Sequence, residues 1–260
     1  MISALDHISL CVADVDRCSR DLTAVLGHDA TPGVRGSAPR VRFQFANIGL
    51  VLEPRAPQPD SAAADADAST IGLSFAVADL SAATHRLSRR ALPITPGPDA
   101  ASMRIDPSAT HGVPIAIVPA KQSATTTADR DIAGLDHVVI RTPDPERAVA
   151  LYGGRLGLDL RLDRTNPKFA NRLLFFVCGD LVVEVAHDLN QGVGSGPDQI
   201  RGLAWRANDI EAAHRRMVAN GVAVSELREG RKAATRVFTV KNQTCGIPTL
   251  IIGGDGLVRS

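Results

Sequence analysis

Short apolar stretches alternate with segments of helical periodicity along the whole chain. The stretches HISLCV and SFAV have the apolar content of strands, and DRCSRDLTAVLG and SAATHRLSRRAL follow them with apolar residues at helical spacing. Further short apolar stretches come after each helical segment. This pattern predicts a repeated order of one strand, one helix and about three strands.

Polar residues and prolines mark the starts of the predicted helices. Asp14 and Asp16 stand where the first strand gives way to a helix, and the Pro-Asp-Pro run at 143–145 has the corresponding place later in the chain. An acidic side chain there can accept hydrogen bonds from the open backbone N–H groups of the helix, and proline is tolerated in the first turn. The predicted left-handed helix ends are Gly27, Gly157 and Gly221.

The chain repeats its own layout. ALDHISLCVADVDRCSRDLTAVLG at 4–27 matches GLDHVVIRTPDPERAVALYGGRLG at 134–157, and His7 and His137 hold the same place in the two segments (137 − 7 = 130). The further equivalent pairs are Gly72 with Gly202, Glu53 with Glu184, and Gly112 with Gly246. Self-similarity sustained over both halves indicates a tandem duplication.

Each half divides again into two quarters. The sequence therefore predicts an α+β protein built from four βαβββ modules, at 4–55, 70–120, 134–188 and 200–255. Modules paired within each half give two domains, 1–122 and 133–260. The polar, small-residue segment 123–132 is the predicted linker.

Composition narrows the classes of partner. The 260 residues are 44% hydrophobic and 22% charged, which suits a globular protein with a substantial core. The net charge is +1, and the absence of a Lys/Arg run argues against binding to nucleic acid or to an acidic membrane. No segment reads as a secretory signal or a membrane span, so we expect a cytoplasmic protein with a small-molecule ligand and leave a homodimer open. The four cysteines lack CxxC or zinc-type spacing, which predicts buried thiols.

Several of these features together resemble the vicinal oxygen chelate superfamily. They are the four βαβββ modules, the LDH motif that opens each odd module, and the glutamate-bearing strands. The superfamily includes glyoxalase I, methylmalonyl-CoA epimerase, fosfomycin-resistance enzymes, extradiol dioxygenases and bleomycin-binding proteins. EVAHD at 184–188 resembles the metal-bearing end of a glyoxalase I module, and DPSATHGVPIAIV and GLAWRANDIEAA resemble parts of the epimerase. The resemblance covers nearly the whole chain and implies paired modules that direct ligands at one divalent metal.

The same resemblance implies candidate metal ligands in both halves. They are His137 with Glu184 in the second half and His7 with Glu53 in the first. Glu184 would serve as ligand or base, and the ion would be Mn, Ni, Zn or Fe(II). If LVLEP is aligned with the second half through its Glu-Pro end instead of through its strand, Leu50 takes the ligand position in place of Glu53. A shift of one residue in a strand reverses the face to which its side chains point.

The sequence also departs from the family pattern. Gly72 and Gly202 stand where even modules usually carry a histidine, and Ala116 and Leu250 stand where they usually carry a glutamate. Two protein donors are few for a catalytic metal, so a protein without metal is the alternative. The candidates for contact with a substrate are Asn171, Arg172, His187 and Trp205, of which His187 is also a candidate third donor.

Three functions follow from the resemblance. The first is a metal-assisted isomerase or lyase that acts on an oxygenated metabolite through an enediolate-type intermediate. The alternative is a metal-free protein that binds or sequesters a small molecule, of the bleomycin-resistance kind. The second alternative is a ring-cleaving dioxygenase, although the donors that even modules supply in such enzymes are absent.

Overall fold

The computed structural model describes residues 1–35, 38–55, 70–99, 101–120 and 130–254. It confirms the α+β class, with two eight-stranded sheets and the order of one strand, one helix and three strands repeated four times. Residues 123–129 of the predicted linker lie outside the described residues. No helix in the described ranges is long and apolar enough to cross a membrane.

The elements follow the predicted modules closely. The first module contains β1 (Ile2–Val12), α1 (Val15–Leu26), β2 (Thr31–Arg35), β3 (Ala38–Gln44) and β4 (Gly49–Pro54). The second contains β5 (Thr70–Val77), α2 (Leu80–Arg89), β6 (Ile94–Pro96), β7 (Met103–Ile105) and β8 (Ile115–Pro119). The third contains β9 (Ile132–Arg141), α3 (Pro145–Ala148), a π-helix (Val149–Arg155), β10 (Asp159–Asn166), a 3-10 turn (Pro167–Phe169), β11 (Asn171–Cys178), β12 (Leu181–Asp188) and a second 3-10 turn (Leu189–Gln191). The fourth contains β13 (Gln199–Ala207), α4 (Ile210–Ala219), β14 (Arg228–Glu229), β15 (Arg236–Val240) and β16 (Thr249–Gly253).

The helix ends confirm the sequence prediction. Each of the four α-helices in the described part of the chain begins after an aspartate whose side chain accepts a hydrogen bond from a backbone N–H of the first turn: Asp14, Asp79, Asp144 and Asp209. Pro145 occupies the first turn of α3, as expected. The glycines predicted to end helices have φ of 68° at Gly27, 78° at Gly157 and 74° at Gly221. These left-handed values are ones that glycine adopts without steric cost.

The strand order is the same in both sheets. One sheet has the order β2-β3-β4-β1-β5-β8-β7-β6 and the other β10-β11-β12-β9-β13-β16-β15-β14. Each sheet therefore contains the two modules of one sequence half, in equivalent positions. This correspondence supports the tandem duplication read from the sequence.

The chain divides into two compact units, and each unit combines segments from both sequence halves. The first unit consists of Met1–His7, Gly72–Gln122 and His137–Arg201. The second consists of Ile8–Ile71, Ser123–Asp136 and Gly202–Ser260. The domain limits 1–122 and 133–260, which follow the sheets, stay a prediction.

Arg216 of α4 connects three segments of the second unit. Its guanidinium donates to the carbonyl oxygens of Ala24 and Val25 at the end of α1, and Nε donates to the carboxylate of Asp131 at 2.6 Å. The last carbonyls of a helix have no partner within the helix, so a cation there satisfies them and complements the helix dipole. Within this unit, Arg216 thus ties the fourth module to the first module and to the start of β9.

Candidate functional site

The candidate site lies on one face of three strands in the first unit. β12 runs antiparallel to β11 with Glu184 opposite Phe175, and parallel to β9 with Val182 opposite His137. Side chains alternate between the two faces of a strand, and residues directly opposite on neighbouring strands share a face. Because Val182 and Glu184 are two residues apart, Glu184, His137 and Phe175 all point to the same side.

His137 and Glu184 form the polar centre of this face. The Nε2 atom of His137 lies 3.7 Å from Oε2 of Glu184, and each side chain is 19% exposed. This separation is longer than a normal hydrogen bond but within the distance of an ion pair. A polar atom of a small molecule can therefore contact both side chains at once.

Apolar side chains surround the pair on the same face. The alternation along the three strands places six partly exposed apolar residues there: Val139, Leu173, Phe175, Val177, Val182 and Ala186. The opposite face of β12 carries the fully buried Val183 and Val185. The same alternation places the polar Asn171, Arg141 and Asp188 at the end of this face, where Arg141 pairs with Asp188. A face with a few polar groups among partly exposed apolar side chains has the composition of a small-molecule site.

The donor set for a metal ion is incomplete. His137 and Glu184 are two side chains of the right chemistry, but the described residues contain no group of three or more His, Cys, Asp or Glu side chains that could hold an ion. Catalytic sites usually keep three protein donors. The pair fits an ion only as a two-donor site, and the predicted ligand roles of His137 and Glu184 stay a prediction.

His187 does not join the pair, although it is three residues from Glu184. It lies on the opposite face of β12, is 5% exposed, and its Nδ1 is 3.2 Å from the backbone oxygen of Thr142. The odd spacing in a strand is the reason for this placement. A role for His187 as third donor at this site would require the strand to change its register.

Arg172 is held by two carboxylates. Its guanidinium donates to Glu146 at 2.6 Å and to both oxygens of Asp163 at 2.7 and 2.8 Å. The hydrogen bonds from Arg172 hold the pKa of the Asp163 carboxyl below its usual range. The side chain is thus engaged in connecting β11 to β10 and α3, on the face that carries His187. Its role toward a substrate stays a prediction.

The remaining two substrate candidates have different surroundings. Oδ1 of Asn171, at the start of β11, is buried and has no hydrogen-bond partner among the described residues. A buried acceptor without a donor is a rare and costly arrangement, so Asn171 is suited to receive a hydrogen bond from a water or a ligand. Trp205 lies in the core of the second unit, is 2% exposed, and its ring is 4.7 Å from that of Phe45. In this conformation Trp205 offers almost no surface to a ligand.

The first-half candidates already have protein partners. In the first unit, Nδ1 of His7 is 2.7 Å from Oδ2 of Asp6. In the second unit, the Glu53 carboxylate accepts hydrogen bonds from Arg40, including one from Nε at 2.8 Å. Leu50, the alternative at the ligand position, is 1% exposed. A metal at Glu53 would have to displace the Arg40 guanidinium, and the roles of His7 and Glu53 stay a prediction.

Sequence reasoning missed the aspartate that precedes each LDH histidine. Asp6 is the partner of His7, whereas Asp136 lies 3.4 Å from Nε of Arg206 in the second unit. The LDH motif itself contained the signal, since both halves carry an acidic residue at that place. His7 thus contacts its own neighbour Asp6, and His137 lies close to Glu184.

Comparisons with known proteins agree on the fold. Residues 134–246 match the model of the Glyoxalase/Bleomycin resistance protein/Dioxygenase superfamily. A variant of 4-hydroxymandelate synthase from Streptomyces coelicolor is similar over 100% of this chain and 94% of that one, with a TM-score of 0.72 and 15% identity. A catechol 2,3-dioxygenase is similar over 97% and 93%, with a TM-score of 0.67 and 20% identity. A halotolerant catechol dioxygenase is similar over 98% and 87%, with a TM-score of 0.69 and 14% identity. No curated protein sequence shows significant similarity to the chain.

Proposed function

We propose that the chain, whose residues 134–246 match the model of the Glyoxalase/Bleomycin resistance protein/Dioxygenase superfamily, is an isomerase or lyase acting on a small oxygenated metabolite. The reaction passes through an enediolate-type intermediate. The observation that carries the proposal is the 3.7 Å approach of Glu184 to His137 among partly exposed apolar side chains of the same sheet face. At this distance both side chains can reach neighbouring atoms of one bound molecule.

The two side chains have complementary tasks. The Glu184 carboxylate accepts a proton from a carbon next to a carbonyl group and later returns it to a neighbouring atom. His137 donates a hydrogen bond to the substrate oxygen on which negative charge develops. The surrounding apolar side chains, Phe175 foremost, exclude water from the substrate, which strengthens both electrostatic contacts.

A divalent ion is compatible with this proposal but not required for the roles above. His137 and Glu184 are the residues that would hold it, and Mn, Ni, Zn and Fe(II) are the candidate ions. When bound, such an ion would supply electrophilic stabilisation of two substrate oxygens. With two protein donors its affinity should be low, because solvent or substrate must complete the coordination.

A metal-free binding protein is the second candidate function. The six apolar side chains around the pair favour it, since they offer more surface for holding a molecule than groups for transforming it. Gly202 and Leu250 favour it too, because neither side chain can coordinate an ion. In this case His137 and Glu184 would orient the ligand by hydrogen bonds alone.

A ring-cleaving dioxygenase is the third candidate. The two catechol dioxygenases among the similar structures support this reading at the level of the fold. Oxygen-activating iron sites of this type generally combine two histidines with one carboxylate. The described site has one histidine and one carboxylate, so a further donor would have to come from elsewhere.

Exchange of a substrate's carbon-bound hydrogen with solvent deuterium separates the isomerase or lyase from the binding protein and the dioxygenase. The full chain is incubated in deuterated water with a panel of small α-hydroxy carbonyl compounds, and deuterium at the carbon next to the carbonyl is followed by NMR. We expect exchange with wild-type protein and a loss of at least about a hundredfold in Glu184→Gln, as for removal of a general base. Asp180→Asn, an exposed carboxylate on the turn between β11 and β12, is the matched control and should keep full activity.

Three other outcomes would contradict the proposed isomerase or lyase or the role of Glu184 in it. Calorimetric binding of a panel compound to wild type without any exchange would replace the enzyme by a binding protein. Consumption of a catechol and oxygen after loading with Fe(II) would identify a ring-cleaving dioxygenase. Equal exchange rates in wild type and Glu184→Gln would remove Glu184 from the reaction.

A further inference from the structure

The second unit contains a cavity of about 450 Å³ that the proposed function does not use. It is formed by the end of β1, the first turns of α1, the end of β4 and the turn before β16. Cys18 and Cys245 both line it, together with the basic side chains Arg17, Arg55 and Lys241. A volume of this size admits a small organic molecule.

The prediction that the cysteines are buried is wrong for three of the four. Cys178 is buried, whereas Cys11, Cys18 and Cys245 are partly exposed. Cys18 and Cys245 stand 227 positions apart in the sequence, so no motif joins them. The fold places α1 next to the turn before β16, so that both cysteines line one cavity. Spacing rules for cysteine motifs cannot predict such a contact.

The Cys245 thiol reaches Cys18. Its Sγ donates a hydrogen bond of 3.8 Å to the backbone carbonyl oxygen of Cys18. The proximity of the two thiols lowers the pKa of the Cys18 thiol and raises that of the Cys245 thiol. Cys18 is the fourth residue of α1, near the helix N-terminus, where the helix dipole favours a thiolate. Cys18 is therefore the thiol that loses its proton more readily and can act as the nucleophile, and Cys245 is the thiol that keeps its proton.

The backbone at Cys245 is held in an unfavourable conformation. Its φ is 52°, and Gln243 in the same turn has φ of 58°. His111, which precedes Gly112 at the equivalent place of the second module, has φ of 55°. The left-handed backbone is therefore part of the turn that both even modules share, and in the fourth module it directs the Cys245 side chain toward Cys18.

We propose that Cys18 and Cys245 are a redox-active pair that undergoes thiol–disulfide exchange with a low-molecular-weight disulfide bound in this cavity. The Cys18 thiolate attacks one sulfur of the disulfide, whose S–S bond breaks. The departing thiolate takes up the proton that Cys18 has released. Cys245 then loses its proton to solvent and attacks the Cys18 sulfur, and the second small thiol leaves and is protonated. The protein pair is oxidised by two electrons, and the small disulfide is reduced to two thiols.

The charges of the cavity indicate the kind of disulfide. Three basic side chains line it, Arg17, Arg55 and Lys241, against the two carboxylates of Asp14 and Asp21. Asp14 accepts a hydrogen bond from a backbone N–H of α1, and Asp21 lies 3.7 Å from Nε of Arg17. The excess of positive charge favours a disulfide that carries carboxylates over one that carries amines.

The test uses glutathione disulfide, which bears carboxylates, and cystamine, which bears amines, on the reduced full-length chain. Mass spectrometry of the intact protein and peptide mapping follow the reaction. Wild type should lose two hydrogen atoms and yield a linked pair of peptides containing Cys18 and Cys245. Cys245→Ser should stop at a stable mixed disulfide on Cys18, and Cys18→Ser should slow exchange at least about tenfold. Cys11→Ser is the matched control, since Cys11 is also partly exposed, and should behave as wild type.

The preference between the two probes tests the cavity separately from the thiols. Glutathione disulfide should react faster than cystamine with wild type, and Lys241→Gln should reduce that preference. A mixed disulfide that persists in wild type, or a linked peptide pair other than Cys18 with Cys245, would overturn the proposal. Equal rates for Cys18→Ser and Cys11→Ser would also overturn it. The proposal does not rest on the His137–Glu184 site, because its readout is the protein's own thiols.

Discussion

Arg147 of α3 donates a hydrogen bond of 2.6 Å to Oδ1 of Asp198, whose side chain has 0% exposed surface. The same guanidinium donates to the carbonyl oxygen of Gly196. Nε of Arg147 and Oδ2 of Asp198 are buried without a hydrogen-bond partner among the described residues. The first unit thus contains a largely buried charged pair, with Asp198 fully and Arg147 mostly removed from water, that the described protein groups satisfy only in part.

Removal of one partner from this pair should be strongly destabilising. Asp198→Asn leaves the Arg147 charge buried without its counter-ion, so we expect the free energy of unfolding to fall by about 3 kcal/mol. Asp159→Asn is the matched control, because Asp159 pairs with Arg161 on the surface, with side chains 59% and 67% exposed. The control should change the free energy of unfolding by less than about 1 kcal/mol. Chemical denaturation measures both, and equal effects would contradict the prediction.

Gly27 should tolerate alanine less well than Gly221, although both have left-handed backbones after a helix. A Cβ atom at Gly27, with φ of 68°, would lie 2.9 Å from Cζ of Arg216, whereas one at Gly221, with φ of 74°, would meet nothing within 4 Å. Gly221→Ala should therefore cost only the strain of the backbone, about 1 kcal/mol. Gly27→Ala should cost more, because it also displaces the guanidinium that binds the end of α1. Equal losses in denaturant unfolding would show that Arg216 adapts without cost.

The stability of the protein should depend on pH through His28, which lies in the second unit. Burial lowers the pKa of His28, whose Nε2 donates to the carbonyl oxygen of Ile132 at 2.8 Å. The unfolded chain then binds a proton more readily than the folded one, so stability is full above the ordinary histidine pKa of about 6.5 and falls as the pH drops below it. His28→Gln should lose less stability between neutral and mildly acidic pH.

The stability of His28→Gln should still depend on pH, because His111 is a second histidine with a lowered pKa. Burial lowers the pKa of His111 as well, so part of the pH dependence should remain in the variant. His85→Gln, at an exposed position of α2, is the control and should follow the wild-type profile. Thermal unfolding measured at several pH values provides the comparison. Parallel profiles for wild type and His28→Gln would contradict the assignment.

The sequence predicted the modules because local signals and the fold agreed. Apolar periodicity gave the strand and helix order, and residues such as Asp14, Asp144 and Gly27 marked helix ends by chemistry that acts within a few positions. The duplication added a second, independent copy of each signal. What the sequence did not reveal was the π-helix Val149–Arg155, whose residues have the same apolar spacing as an ordinary helix.

The site was predicted less completely, because its geometry depends on contacts distant in sequence. The approach of His137 to Glu184 follows from the pairing of β9 with β12, and the LDH and EVAHD motifs indicated both residues. The engagement of Glu53 by Arg40 and of Arg172 by Asp163 could not be read from the sequence, since each depends on strand register. The contact between Cys18 and Cys245 spans nearly the whole chain.

Any divalent ion at the candidate site should bind weakly and depend on His137 and Glu184. Gly202 and Leu250 remove two of the four side chains that the resemblance implies, and the described residues supply no cluster of three metal-binding side chains. Titration calorimetry with Mn, Ni, Zn and Fe(II) should show binding that a chelator reverses at once. His137→Ala and Glu184→Gln should each weaken that binding by at least about tenfold, as for the loss of one of two donors. Arg141→Gln is the control variant, because Arg141 is on the same strand as His137 but pairs with Asp188 at 3.0 Å. It should bind the ions as the wild type does. If wild type and both site variants bind a metal equally well, the ion lies elsewhere. If none of the four ions binds, the metal-free binding protein is favoured over the metal-assisted enzyme.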